Sequence, residues 1–461
     1  MPVTTDGATF INGIGIAFTA LMCLLILILP RRFALIPVIV LTCYMTMGER
    51  VMVAGANFTM FRILTLAGWM RIIVRGELCR LRLNLIDKAI ICRIFFGILM
   101  HTLLWQTSQE FINRLGHAYD ALGLYFLFRF LVRDLNDIKR TVRILAVLII
   151  PLAAAMLTEK LTGRNAFAVF GGVMEFTRVR DGSLRCQGPF AHPILAGTFG
   201  ATTLPFFVGM WLQGKRNHLL AVVAVASCLI ITLTSASSGP ALAALAGIVG
   251  LLAWFRRSWL RAVRWGGLLG LILLQLVMKS PVWFLMARVD LFGGSTGWHR
   301  AWLIDTAVKN FSQWWLLGIK NPGVWDPMLA DVTNQYLVEG FNGGLLIMLL
   351  FILIIVLCFR VVGTAVRRTA GIEPLSTRLC IWALGASLFA HVLGFLSISY
   401  FDQNEVIWLL LLAMISTSTA PYLLARRPPS LAVAQTSASV EAGWPDARDM
   451  WPTIGMRPNG N

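Results

Sequence analysis

Residues 344–359 read GLLIMLLFILIIVLCF, and Arg360 follows. The run holds no charge and no proline. Wound as an α-helix it extends ~24 Å, most of the hydrocarbon thickness of a bilayer. A barrel strand would alternate apolar and polar side chains, whereas this run is apolar throughout. It therefore predicts a membrane-spanning helix. Runs of the same kind recur near 11–29, 33–47, 58–73, 89–105, 118–130, 144–157, 194–212, 219–233, 241–254, 265–278, 379–396 and 406–424. Together they predict an all-α, polytopic transmembrane fold of about 12–13 spans. Composition agrees: 57% of residues are hydrophobic and 13% charged, against about 25% charged in a soluble domain.

Lys and Arg number 40 against 22 Asp and Glu, a net charge of +18. The cations cluster at span ends: Arg31 and Arg32; Arg75, Arg80, Arg82 and Lys88; Arg133, Lys139, Arg140 and Arg143; Lys215 and Arg216; Arg256, Arg257, Arg261 and Arg264; Arg360, Arg367, Arg368 and Arg378; Arg426 and Arg427. These short basic loops fall on one side, which predicts that side to be cytoplasmic. The placement suits contact with anionic membrane lipids, and no basic helix with interleaved aromatics points to nucleic acid. The first run has Asp6 before it and Arg31–Arg32 after it, the reverse of a cleavable signal. The expectation is a retained first span with its N-terminus outside. Residues 1–424 form one membrane domain, and 425–461, rich in Pro, Ser, Ala and Gly, form a disordered cytoplasmic tail.

No GxxxxGK[ST] and no GxGxxG after a strand is present, so ATP-driven transport by this chain alone is not expected. The eight cysteines make no CxxC and no zinc spacing, so neither a metal nor a disulfide framework is expected.

Two polar loops, 159–193 and 279–340, fall on the side opposite the basic loops. The first carries Arg178, Arg180, Asp181 and Arg185, then a Gly and Pro turn ending at His192. A guanidinium in a dry site calls for an anion, and its planar fork grips phosphate with two bonds. His192, between Ala191 and Pro193, also fits a packing or turn role. The second loop carries Arg288, Asp290 and the glycine-rich segment 293–297, where Ser295 or Thr296 can cap a helix. The segment 298–311 is amphipathic: Ala301, Ile304, Val308 and Phe311 share one side, and His299, Thr306 and Asn310 another. Such a helix can lie flat in the outer interface. Asp331, Asn334 and Gln335 then stand at the entrance of the next span, where polar side chains need partners or a cavity.

Taken together, Arg185–Pro193 (RCQGPFAHP), the Ser237-Ser-Gly turn, Trp298–Trp302 (WHRAW), Leu317-Gly-Ile and Asn334-Gln-Tyr-Leu resemble the O-antigen ligase and O-antigen polymerase superfamily of bacterial envelope enzymes. The resemblance covers roughly 58–424. It implies a glycan donor on undecaprenyl pyrophosphate, used on the periplasmic face of the bacterial inner membrane without metal, cofactor or nucleotide sugar. It implies that Arg185 and Arg300 hold the pyrophosphate, with Arg288, His192, Asn334 and Gln335 as further substrate-binding positions. Many ligases carry a histidine where this chain has Thr333. That departure favours a polymerase over a ligase to lipid A-core, and makes Asp331 or His299 the catalytic base.

Two other classes remain. A transporter would place ionisable groups mid-span; His101, His391 and Cys228 are the polar mid-span residues, and no carboxylate pair stands out. A non-enzymatic member of a polysaccharide-assembly complex would not need Arg185, Arg300 and Asp331 to converge.

Overall fold

A computed structural model describes residues 12–424 apart from 49, 54–55, 80, 181 and 289–296. The tail at 425–461, Asp290, Ser295 and Thr296 lie outside the described residues. The chain is an all-α, multi-pass membrane protein. Among the described residues, eight helical segments are long and apolar enough to cross a bilayer, and strands are confined to two short hairpins.

The helices are α1 (Gly13–Ile28), α2 (Ile36–Tyr44), α3 (Met60–Val74), α4 (Leu85–Trp105), α5 (Ser108–Leu131), α6 (Leu135–Thr162), α7 (Pro193–Trp211), α8 (His218–Thr234), α9 (Ser238–Leu252), α10 (Leu260–Val277), α11 (Gly297–Lys309), α12 (Phe311–Trp314), α13 (Gln335–Arg368), α14 (Leu375–Gly394) and α15 (Gln403–Leu424). The hairpins are β1 (Arg50–Val53) with β2 (Ala56–Thr59) and β3 (Arg178–Arg180) with β4 (Ser183–Arg185).

Every apolar run of the sequence is helical, but not every one is a full span. The run 33–47 yields only α2, nine residues long, a rise of ~14 Å that falls short of the bilayer core. α9 and α10 follow one another through a 3-10 stretch, so 238–277 is a 40-residue helical segment kinked at Arg256. The run 344–359 is the middle of α13, which begins nine residues earlier and is interrupted at Gly343 and Gly344. Gly344 has φ +75°, and a Cβ there would lie 2.3 Å from the Leu316 carbonyl oxygen. Only glycine fits both constraints.

α7 and α15 form the centre of the bundle. Nearly all of α7 is buried, as is α15 from Val406 to Thr419. α7 packs on α8, α9 and α14. Its Gly200 lets α8 come close, since a Cβ there would lie 2.8 Å from the Cys228 carbonyl oxygen.

The two ends of the bundle differ in character. At one end arginines tie helix termini together. Arg31 pairs with Asp137, Arg75 donates to the Ile28 carbonyl, Arg133 to that of Glu77, and Arg368 to that of Tyr422. At the other end the polar loops meet. Asn165 donates to the Gly188 carbonyl, Gln403 to those of Met45 and Pro189, and the Gln335 N–H to the Phe395 carbonyl. The basic loops and the two chemically rich loops are thus segregated at opposite ends.

Candidate functional site

The site is built from the loop after α6. α6 stops at Gly163, whose φ of 70° closes the helix. The buried Glu159, one turn earlier, then shapes the next segment. Its carboxylate accepts from the Gln187 N–H at 3.1 Å, the Gly188 N–H at 2.9 Å and the Thr177 hydroxyl at 3.1 Å. Cys186 N–H donates to the Thr234 carbonyl at 3.1 Å, fastening β4 to the end of α8. The chain from Arg185 to His192 is therefore held by α6, α8 and α15 rather than hanging as a free loop.

Arg185 points to the turn between α8 and α9. Its Nη2 donates to the Ser237 hydroxyl at 2.7 Å, and that hydroxyl donates to the Ser235 carbonyl at 2.9 Å. Between them Ala236 has φ 44°, a strained value for a residue with a side chain. Arg300 reaches the same turn from α11. Its Nη2 lies 3.4 Å from where a Cβ on Gly239 would stand, and Ser397 fills the other side of that position at 2.5 Å. Gly239 thus lets α9 and the 395–402 loop come together, with Arg300 in ordinary contact beside them.

Arg300 is 8% exposed, and its buried Nε has no hydrogen-bond partner among the described residues. No carboxylate pairs with it among the described residues. Burial, then the charges of Arg180 and Arg185, pull its pKa down to about 10. It remains cationic at neutral pH. His192 stands at the same place: burial first, then Arg185, Arg178 and Arg180, push its pKa down to about 4. A buried guanidinium amid like charges is stabilised chiefly by an anion. The arrangement can take an anion, at the end of the bundle where the polar loops meet.

The expected site residues fall into three groups, with His299 apart from them. Arg185, Arg300 and His192 come together, with Arg178 and Arg180 added. Asn334 and Gln335 are engaged in the fold: the buried Asn334 caps α13 by accepting from the Leu337 N–H at 3.2 Å. Gln335 accepts from the Tyr400 N–H at 2.7 Å and donates to Glu339 at 2.9 Å. Arg288 and Asp331 are exposed, at the end of one 3-10 turn and just after another, with no hydrogen bond or ion pair among the described residues. His299 is half-buried on α11, one residue before Arg300.

Half of the expected apolar face turns inward: Ala301 is buried and Ile304 packs on the cluster of Leu303, Ala307, Trp314 and Phe341, while Val308 and Phe311 are exposed. Its Trp298 and Trp302 stack at 5.3 Å, Trp302 donates to Asp326, and Asp305 pairs with Lys309. The helix that carries Arg300 packs on its own loop.

Sequence reasoning missed two features. Glu159 gave no signal beyond a carboxylate at the end of an apolar run. A charged network also crosses α3, α4, α5 and α13. Arg62 grips Asp120 with two bonds of 2.8 and 2.7 Å, and Arg93 pairs with the buried Glu339 at 2.6 Å. Glu339 lies in the first turns of α13, a segment that reads as loop. Among the described residues no cluster of three or more His, Cys, Asp or Glu is arranged to hold a metal. No family model and no curated protein matches the chain, so the reading of the site rests on its own geometry.

Proposed function

We propose that this protein is a membrane glycosyltransferase of the O-antigen polymerase type. It transfers a glycan from undecaprenyl pyrophosphate to a growing surface or exopolysaccharide chain, on the periplasmic face of the bacterial inner membrane. The observation that carries the reading is the meeting of Arg185 and Arg300 at the Ser237–Gly239 turn, with Arg180 close by. Such a site binds a diphosphate whose lipid tail stays in the bilayer beside it.

The chemistry needs no cofactor. The acceptor hydroxyl oxygen forms a bond to the anomeric carbon as the bond from that carbon to the diphosphate oxygen breaks. The electron pair leaves with the diphosphate, and the guanidinium charges stabilise it. Asp331 takes the hydroxyl proton. Its exposed carboxylate, three residues before the α13 cap, is free to meet an acceptor arriving from solvent.

Deletion of the gene, complemented by wild type or Asp331→Asn, tests this. Deletion should abolish long polysaccharide, and Asp331→Asn should accumulate lipid-linked single repeat units. Unchanged chain lengths in the deletion strain would end the polymerase reading. Loss of lipid A-core decoration with chain length unchanged would point to a ligase.

A further inference from the structure

His192 is placed so that only one of its ring nitrogens is available. It is the N-cap of α7, with φ −147° and ψ 144°, followed by Pro193 at the first helical position. Its Nδ1 accepts the Ile194 N–H at 3.2 Å. A ring nitrogen that accepts a hydrogen bond carries no proton, so in the neutral ring the proton is on Nε2. Nε2 makes no hydrogen bond among the described residues and is not one of the buried unpartnered atoms. It is therefore an accessible N–H donor. The charged groups acting on the ring are Arg185 of β4 and Arg178 and Arg180 of β3. All three are cations and oppose a second proton.

We propose that His192 is a neutral hydrogen-bond donor to the anion at this site: Nδ1 is committed to the α7 cap, and Nε2–H is offered to a phosphate oxygen of the lipid-linked donor. The inference rests on the diphosphate reading above and adds a residue with a fixed tautomer to it. It also removes His192 as proton acceptor for the sugar hydroxyl, because the nitrogen that could accept is already bonded to backbone. The sequence alone left His192 between a turn residue and a ligand, and it is both. The cap sets the ring's direction and the arginines keep it uncharged.

The test uses the full-length protein in detergent with inorganic pyrophosphate as the probe, followed by calorimetry. Arg300→Ala reports on the diphosphate reading and His192→Asn on this one. Asn keeps an oxygen to cap α7 but lacks the Nε2 donor. Wild type should bind pyrophosphate, Arg300→Ala should lose binding, and His192→Asn should bind about 3- to 10-fold more weakly, the worth of one hydrogen bond. The ratio of wild-type to His192→Asn affinity should stay flat from pH 7.5 to 5.5, since the probe's own titration cancels. Equal affinity of His192→Asn and wild type overturns the donor role. A ratio that climbs as pH falls through 6.5 overturns the neutral ring. Failure of wild type to bind, or normal binding by Arg300→Ala, overturns the diphosphate reading itself and this inference with it. Nitrogen-15 spectra of the histidine-labelled wild type, with six rings in all, read the tautomer without any substitution. An Nδ1-protonated ring at His192 would contradict the proposal.

Discussion

Arg178 and Arg185 sit directly opposite each other across the β3–β4 ladder. Like charges in that position destabilise a hairpin by ~0.2–1 kcal/mol unless something neutralises them. Gly182, with φ 74°, makes the turn that forces this register.

Arg178→Thr follows from that pairing. A β-branched neutral residue opposite Arg185 suits a strand. Melting in the absence of anion should be unchanged or up to a few degrees higher, while pyrophosphate affinity falls several-fold. A lower melting temperature with unchanged affinity would mean that Arg178 is a structural residue.

Gly239 is the second point of leverage. An added Cβ would lie 2.5 Å from Ser397 Oγ, 2.6 Å from Ser397 Cβ and 3.4 Å from Arg300 Nη2. Overpacking of this kind costs ~1–3 kcal/mol, and here it falls on Ser397, whose displacement shifts the 395–402 loop beside Arg300. Gly239→Ala should reduce glycan transfer at least 10-fold while the protein still reaches the membrane. Adding Ser397→Gly, which clears the clash, should restore most of it. Full activity of Gly239→Ala alone would show that the close approach of Ser397 to α9 is not needed for transfer.

The pH dependence of stability has a defined sign. His192 titrates at about 4 in the folded chain, below the ordinary histidine value of about 6.5. Between those values the unfolded chain binds a proton that the folded chain refuses. Stability from this group is thus complete above pH 6.5 and falls as pH drops toward 4. His192→Asn removes the titrating ring and keeps the cap. Its melting temperature should fall less than that of wild type between pH 7.5 and 5. Equal falls would place the acid sensitivity elsewhere.

The spans were legible because continuous apolar runs leave little choice but helix. Their ends were less so. Residues 335–343 carry Gln335, Glu339 and two glycines and read as loop, yet they are the first turns of α13. Arg93 lies 246 positions away in sequence from Glu339, and Tyr400 is 65 from Gln335. The partners that make these polar residues tolerable cannot be seen in any local window. Asn334 was noticed because a polar side chain at a span entrance is unusual, and its role is the cap. Arg185 and Arg300, which stand far apart in the sequence, both reach the Ser237–Gly239 turn. Arg178 lands opposite Arg185 through a register that depends on a two-stranded hairpin too short to read from alternation.

The central claim is that Arg185 and Arg300 hold the diphosphate of a lipid-linked glycan donor. The most direct measurement is chain extension by the purified protein in liposomes, supplied with an undecaprenyl-pyrophosphate-linked repeat unit. Wild type should lengthen the glycan, and Arg185→Ala and Arg300→Ala should each lower the rate at least 100-fold with folding retained. The Lys variants should recover little, because lysine keeps the charge but loses the planar fork. Extension at the wild-type rate by both Ala variants, or no extension by wild type on any such donor, would contradict the account.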